Sequence, residues 1–389
     1  MKDKFYVEMA EKYGTPFYLF DLNELDKRVE KIHACIGSRA SLCFAMKANP
    51  FLTEYLSKEV ACLEVCSPGE LQICKELEIP LKNIVLSGVV KEKQDIEWIL
   101  NQDQELPIFT AESVFQYQML CEMANKYNRK IDVLPRLTSG NQFGMDKDVL
   151  IDLVQRSKGE QLVEITGIHF FSGTQKRRAE LIQAELDALD AALMEIEEKT
   201  SIKMERLEYG SGIDVEYFLT GKPFDEMGML ESLSDSVKKM KFQGNITIEM
   251  GRFIAASCGE FITQAREMKE NAGVLYCLTD GGAHHLNYDG QVMAAKKPLL
   301  RQVPKRQEAE LQEYNIYGAL CSTKDVLVKH CQLKELKLGD LLVFEKTGAY
   351  SMTEGMSLFL SRDLPTVVSC KDGEDIMLRP SMPTYTMNF

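Results

Sequence analysis

Long apolar runs are missing from this chain; none approaches the ~20 residues needed to span a bilayer. The N-terminus, Met1-Lys2-Asp3-Lys4, leads straight into mixed polar sequence, so no signal peptide is expected. An excess of positive charge is also missing. The formal net charge is −13, which disfavours nucleic acid, where affinity comes mostly from Lys and Arg on phosphates, and an anionic membrane surface. No CxxC pair has metal-like spacing, and no stretch is of low complexity. The eleven cysteines are an odd number scattered through apolar segments such as Leu42-Cys43-Phe44. They fit reduced, mostly buried thiols of a cytoplasmic protein. What is present is a globular composition: 389 residues, 45% hydrophobic and 27% charged, enough for two domains around large cores.

Short apolar, β-branched runs alternate with helical patterns. The runs are 41–48, 62–67, 84–88, 107–111, 131–137, 164–171, 206–212 and 245–250. Between them, apolar residues recur at i, i+3 and i+4 over 91–103, 113–128, 146–159, 176–200 and 225–240. Strand–helix alternation predicts an α/β fold with a parallel sheet, and eight such units predict a (β/α)8 TIM barrel over 26–253. A doubly wound sheet is the alternative. After about residue 253 strand-like runs dominate, at 274–280, 325–331, 339–346 and 365–370, which predicts a mainly β domain over 254–389. An early strand in 1–25, Pro16-Phe17-Tyr18-Leu19-Phe20, is expected to pair with it.

Barrels of this kind place their chemistry at the C-terminal ends of the strands, and polar or glycine-rich groups stand there. Lys47 ends the first run. An amine buried in an apolar strand tends to lose its proton, as Schiff-base chemistry requires; a strand-end lysine can equally snorkel to solvent, and spacing does not choose. Gly210-Ser211-Gly212 exposes backbone N–H groups that can cradle a phosphate, or is simply a tight turn, and Ser172 and Thr174 could add hydroxyl donors. Glu249, before Met250-Gly251-Arg252, could hold a pyridine nitrogen protonated or pair internally with Arg252. Cys321 is either a proton donor or a core thiol. Tyr350 alone is a turn aromatic. The adjacent His284 and His285 would point to opposite faces of a strand, so no metal site is expected. Residues 296–306 carry five basic residues and no acid: a solvated loop, or a surface for an anionic partner.

Together these motifs resemble the fold type III pyridoxal phosphate decarboxylases, the diaminopimelate/ornithine decarboxylase family, from about residue 15 to 360. The resemblance implies roles position by position. Phe44-Ala45-Met46-Lys47-Ala48-Asn49 resembles the family's Tyr-Ala-x-Lys-Ala-Asn, making Lys47 the Schiff-base lysine. Gly210-Ser211-Gly212 resembles its triple glycine on the cofactor phosphate. Glu249-Met250-Gly251-Arg252 resembles Glu-Pro-Gly-Arg, with Glu249 on the pyridine nitrogen and Gly251 and Arg252 near the phosphate. Tyr350 matches a tyrosine that touches the phosphate, and Arg136 an arginine behind the cofactor ring. Cys321 matches the proton-donating cysteine offered by a neighbouring subunit, which implies a homodimer.

The departures from the pattern bear on the substrate. Phe171 stands where the family has a histidine that stacks on the cofactor ring; a phenyl ring can stack but not titrate. Gln142 replaces a lysine that normally pairs with an aspartate matched by Asp325. Ser322 follows Cys321 where the family has an acid that reads the distal amine of a diamino acid. Ser322 and Asp325 are therefore the expected substrate-side residues. A buried, unpaired ammonium would be expensive there. The chain is thus similar to a biosynthetic branch of the family, which includes the butirosin-synthesis decarboxylase acting on glutamyl held by an acyl carrier protein and those of carboxylate siderophore pathways. Diamino acid decarboxylation, racemisation on the same barrel and a catalytically inactive regulatory homologue are the other readings.

Overall fold

A computed structural model describes residues 2–219 and 223–388. The chain divides into two compact units. One comprises Val29–Val215 and Phe224–Phe253; the other comprises Met1–Arg28, Glu216–Pro223 and Ile254–Phe389.

The first strand, β1 (Phe17–Asp21), belongs to the second unit. In the first unit the chain runs through β2 (Ala40–Ala45), β3 (Cys62–Val65), β4 (Ile84–Leu86), β5 (Ile108–Ala111), β6 (Ile131–Pro135), β7 (Val163–Ile165), β8 (Gly167–Phe171), β9 (Arg206–Gly210) and β10 (Asn245–Met250). All are parallel neighbours in one sheet, in the order β7-β6-β5-β4-β3-β2-β10-β9-β8. Helices lie between strands, at Lys93–Leu100, Val114–Tyr127, Lys147–Ser157, Ala179–Thr200 and Glu226–Lys239, where the apolar periodicity places them. Ser113 starts one by accepting from the Gln116 amide and Asn128 ends it in the left-handed region. The near-continuous burial of the strands is what a parallel sheet covered by helices requires.

The sixth run, 164–171, is two strands. The chain bends at Thr166, so that β7 pairs with β6 and β8 pairs with β9. Gly167 permits the bend, because a Cβ there would come within 2.0 Å of the Arg206 carbonyl oxygen. The Leu137 amide donates to the His169 carbonyl (2.9 Å) and Arg136 bridges His169 in parallel, which joins β8 to the end of β6 and closes the barrel. The first run also stops short of its expected end: after Ala45 the chain turns through a single 3₁₀ turn, Met46–Ala48, so Lys47 stands on that turn and not on the strand.

In the second unit β1 pairs with both β11 (Gly259–Asn271) and β17 (Thr366–Lys371). The sheet continues through β12 (Val274–Thr279), β13 (Leu300–Val303), β14 (Leu311–Tyr317), β15 (Val326–Lys334), β16 (Leu341–Glu345) and β18 (Glu374–Arg379). An N-terminal helix, Lys2–Tyr13, packs Tyr6 and Met9 against Phe17, Leu19, Ile262, Val343 and Val368. Residues 216–219 interrupt the barrel sequence but join this unit: the Leu219 amide donates to the Lys297 carbonyl. Among the described residues no helix is long and apolar enough to cross a membrane.

Three sequence-based expectations change here. His284 and His285 lie in a turn, not on a strand, with ring centroids 3.7 Å apart. Burial pushes them down to about 3 and about 4. The basic stretch 296–306 is partly neutralised within the unit, with Arg301 on Glu260 and Glu345 and Arg306 on Asp340. Asp325 is fully buried; its carboxylate accepts from the Ala283 and Leu320 amides (2.6 Å each). That carboxylate holds two loop segments together and is not available to a substrate. Asp325→Ala leaves both amides without an acceptor, so urea unfolding should show a loss of about 2–3 kcal/mol.

Candidate active site

Chemistry-bearing side chains gather at the C-terminal ends of five consecutive strands of the sheet: β8, β9, β10, β2 and β3. Lys47 projects from the turn after β2, and its Nζ donates to Glu64 Oε2 (2.7 Å) near the end of β3. Cys66 Sγ lies 3.4 Å from the same Nζ and 3.2 Å from Glu64 Oε1. Burial raises the Glu64 carboxyl, but the Lys47 ammonium and its hydrogen bond outweigh that and hold it well below the usual carboxylate range. The expectation of a desolvated amine is therefore modified: the Lys47 side chain is 41% exposed and faces an ionised carboxylate.

Glu249, near the end of β10, is 6% exposed, and its Oε1 lies 3.1 Å from His169 Nε2. The pair is close but off the hydrogen-bonding direction, so Glu249 Oε1 and both His169 ring nitrogens have no hydrogen-bond partner. Glu64, His169 and Glu249 bring ligand atoms within 4.8 Å of one another, the spacing of a metal site. The Lys47 ammonium on Glu64 already places a competing cation there.

The glycine turn after β9 is zipped to the segment after β8. The Lys176 amide donates to the Gly212 carbonyl and the Asp214 amide to the Lys176 carbonyl. Gly212 has φ +62°, and a Cβ on it would sit 2.0 Å from the Gly173 carbonyl oxygen. Below the turn, Glu185 accepts from Ser172, Lys176 and Tyr209 side chains at 2.5–2.7 Å. The Phe171 ring lies against Gly210, where a Cβ would meet it at 2.5 Å. Arg136 pairs with Glu112 at 2.8 Å, reaches the Phe171 carbonyl at 3.4 Å and stacks on Phe143. Arg252 Nε lies 3.4 Å from Thr174 Oγ1.

Residues 22–256 match the family model for the pyridoxal-binding domain of pyridoxal-dependent decarboxylases. The chain belongs to the pyridoxal-dependent decarboxylases. It is 25% identical over 397 residues to L-glutamyl-(BtrI acyl-carrier protein) decarboxylase of Niallia circulans, covering 95% of this chain and 92% of that protein. It is 27% identical over 363 residues to diaminopimelate decarboxylase of Aquifex aeolicus, covering 88% and 84%. Its fold superposes on a crystal structure of diaminopimelate decarboxylase from M. jannaschii with a TM-score of 0.85 at 22% identity, over 97% and 92% of the two chains.

The residues of this decarboxylase fit its cofactor. A half-exposed amine, Lys47, can take an aldehyde. The turn at Gly210-Ser211-Gly212 is bare of bulky side chains, with Ser211 buried. Orphaned polar atoms on Glu249 and His169 await a partner. Lys47, Arg136, Phe171, Thr174, Gly210, Ser211, Gly212, Glu249, Gly251 and Arg252 all fall in the barrel unit. Cys321, Ser322 and Tyr350 fall in the β-rich unit. Cys321 is exposed there, whereas five of the other ten free cysteines are buried. Tyr350 adopts φ +63° in the turn after β16.

Sequence reasoning missed Glu64, Cys66, His169 and Glu112. The signal for Glu64 was an acid inside the apolar run Cys62-Leu63-Glu64-Val65-Cys66 at a strand's C-terminal end. Because the folded state lowers the Glu64 pKa below its unfolded value, the Lys47–Glu64 contact stabilises above about pH 4.5 and is lost as pH falls through the depressed value. The thermal-midpoint advantage of the cofactor-free wild type over Glu64→Gln should shrink as pH falls from about 5 to about 3.

Proposed function

We propose that this decarboxylase acts in a biosynthetic pathway on an amino acid that presents no free distal ammonium, as a conjugate or as an aminoacyl group on a carrier protein. The observation that carries this reading is Ser322, a neutral residue directly after the exposed Cys321. An acid there would pair the second ammonium of a diamino acid; a serine leaves it unpaired. The similarity to the glutamyl carrier-protein decarboxylase supports the same substrate class.

When bound, pyridoxal phosphate supplies an electron sink for the electron pair left by departing CO2. Lys47 would hold the cofactor by its aldehyde and serve in release of the product. Glu249 would hold a proton at the ring nitrogen by a charge-assisted hydrogen bond. The Gly210–Gly212 turn, with Thr174 and Arg252, would hold the phosphate. Phe171, braced through its carbonyl by Arg136, would stack on the ring. Cys321 of a second copy would return a proton to the α-carbon, so the working form is a homodimer; the free cysteines support a cytoplasmic location. With Arg301 and Arg306 paired internally, any carrier docking by 296–306 falls to Lys296, Lys297 and Lys305.

A CO2-release screen over free, conjugated and carrier-bound amino acids tests the reading. The expected result is a kcat/KM at least about 10²-fold higher for a conjugated or carrier-bound substrate than for lysine or diaminopimelate. Faster turnover of a diamino acid would restore the second reading, which the similarity to diaminopimelate decarboxylase favours. Cys321→Ala should lower kcat on the order of 10²-fold or more.

A further inference from the structure

Glu208, in the middle of β9, has no part in the reading above, yet it is one of the most deeply placed ionisable groups in the barrel. It is 2% exposed, and its Oε1 has no hydrogen-bond partner. Parallel register sets Glu208 opposite His169 of β8 and Thr247 of β10. Glu249 lies two residues beyond Thr247, on the same face, so the two acids are diagonal neighbours. Glu249 Oε1 is itself an acceptor without a donor. The cations nearby are engaged elsewhere, Lys47 on Glu64 and Arg136 on Glu112.

Around Glu208 stand Glu249 from β10, Cys62 and Glu64 from β3, Cys43 from β2 and His169 from β8. An ionised carboxylate here would have no paired cation, would leave Oε1 without a hydrogen bond and would sit beside a second acid, an arrangement the interior disfavours twice over. A protonated carboxyl removes both problems, because its O–H gives the orphaned Glu249 oxygen a donor. We propose that Glu208 is an un-ionised carboxylic acid at neutral pH that donates to Glu249, making it a positioning residue that fixes the Glu249 side chain. Burial, reinforced by Glu249, raises the Glu208 carboxyl well above the usual range. The assignment deepens, and rests on, the reading of Glu249 as the partner of the cofactor ring.

The test uses the full chain, first without cofactor. Infrared difference spectra of ¹³C-glutamate-labelled protein at neutral pH should show a protonated carboxylic C=O band in the wild type that is absent from Glu208→Gln. The folded wild type keeps a proton that the unfolded chain releases. Its unfolding equilibrium should therefore worsen relative to Glu208→Gln as pH rises above about 5, by up to about tenfold per pH unit. No band, with a pH-independent difference between the two proteins, overturns the proposal. With cofactor added, Glu208→Gln, which still offers a donor, should bind pyridoxal phosphate within about threefold of the wild type, and Glu208→Leu about tenfold more weakly. Equal binding by both variants overturns the positioning role. Glu249→Gln separately tests the reading of Glu249: unchanged cofactor affinity there fails that reading, whereas the infrared band bears on Glu208 alone.

Discussion

The bend at Thr166–Gly167 is the constraint on which the barrel depends. One segment must pair with β6 through its first half and with β9 through its second, and only a backbone bare of Cβ fits against Arg206 at the changeover. With the bend, β8, β9, β10, β2 and β3 follow one another around the sheet and their C-terminal ends lie side by side. Residues as distant in sequence as Lys47, Phe171, Gly210 and Glu249 then share one rim. A straight strand over 164–171 would leave β9 and its glycine turn without the neighbour they zip to.

Electrostatics at that rim follow a pattern: most acids there sit against a cation. Glu64 has Lys47, Glu112 has Arg136 and Glu185 has Lys176. Two of the pairs also brace their surroundings. Glu112 accepts the Gly144 amide at 2.9 Å while Arg136 reaches the Phe171 carbonyl, and Glu185 gathers Ser172 and Tyr209 beneath the glycine turn. Pairing limits the cost of burying these charges and fixes the groups along the rim. Glu208 and Glu249 stand outside the pattern, with no cation of their own, and it is there that polar atoms are left without partners.

Much of the barrel was legible in the sequence because parallel strands buried on both faces read as apolar runs and their helices carry a clear stripe. The helix over Glu226–Lys239 and the strand over Asn245–Met250 fall within a residue of their expected limits. What escaped was set by tertiary contacts. β11 was not singled out because its second half, from Glu267, is largely exposed and polar, and the N-terminal helix lacks a strong apolar stripe. Lys47, Glu249 and the glycine turn were visible as polar breaks at strand ends. Glu64, His169 and Glu208 were not, because a single polar residue inside an apolar run signals burial without naming its partner. Asp325 was expected on the substrate side from the family pattern; its carboxylate instead takes the Leu320 amide of its own loop and the Ala283 amide of a distant one.

The proposed chemistry depends on Lys47, held by Glu64 on the turn after β2, as the residue that carries the cofactor. Reduction of the pyridoxal phosphate-loaded protein with borohydride fixes the cofactor to whichever amine holds it, and peptide mapping by mass spectrometry reads the position. The expected result is a pyridoxyl mass on the peptide containing Lys47, its loss in Lys47→Ala, and no label above background on other lysines. Labelling of another lysine, or undiminished labelling in Lys47→Ala, would contradict it.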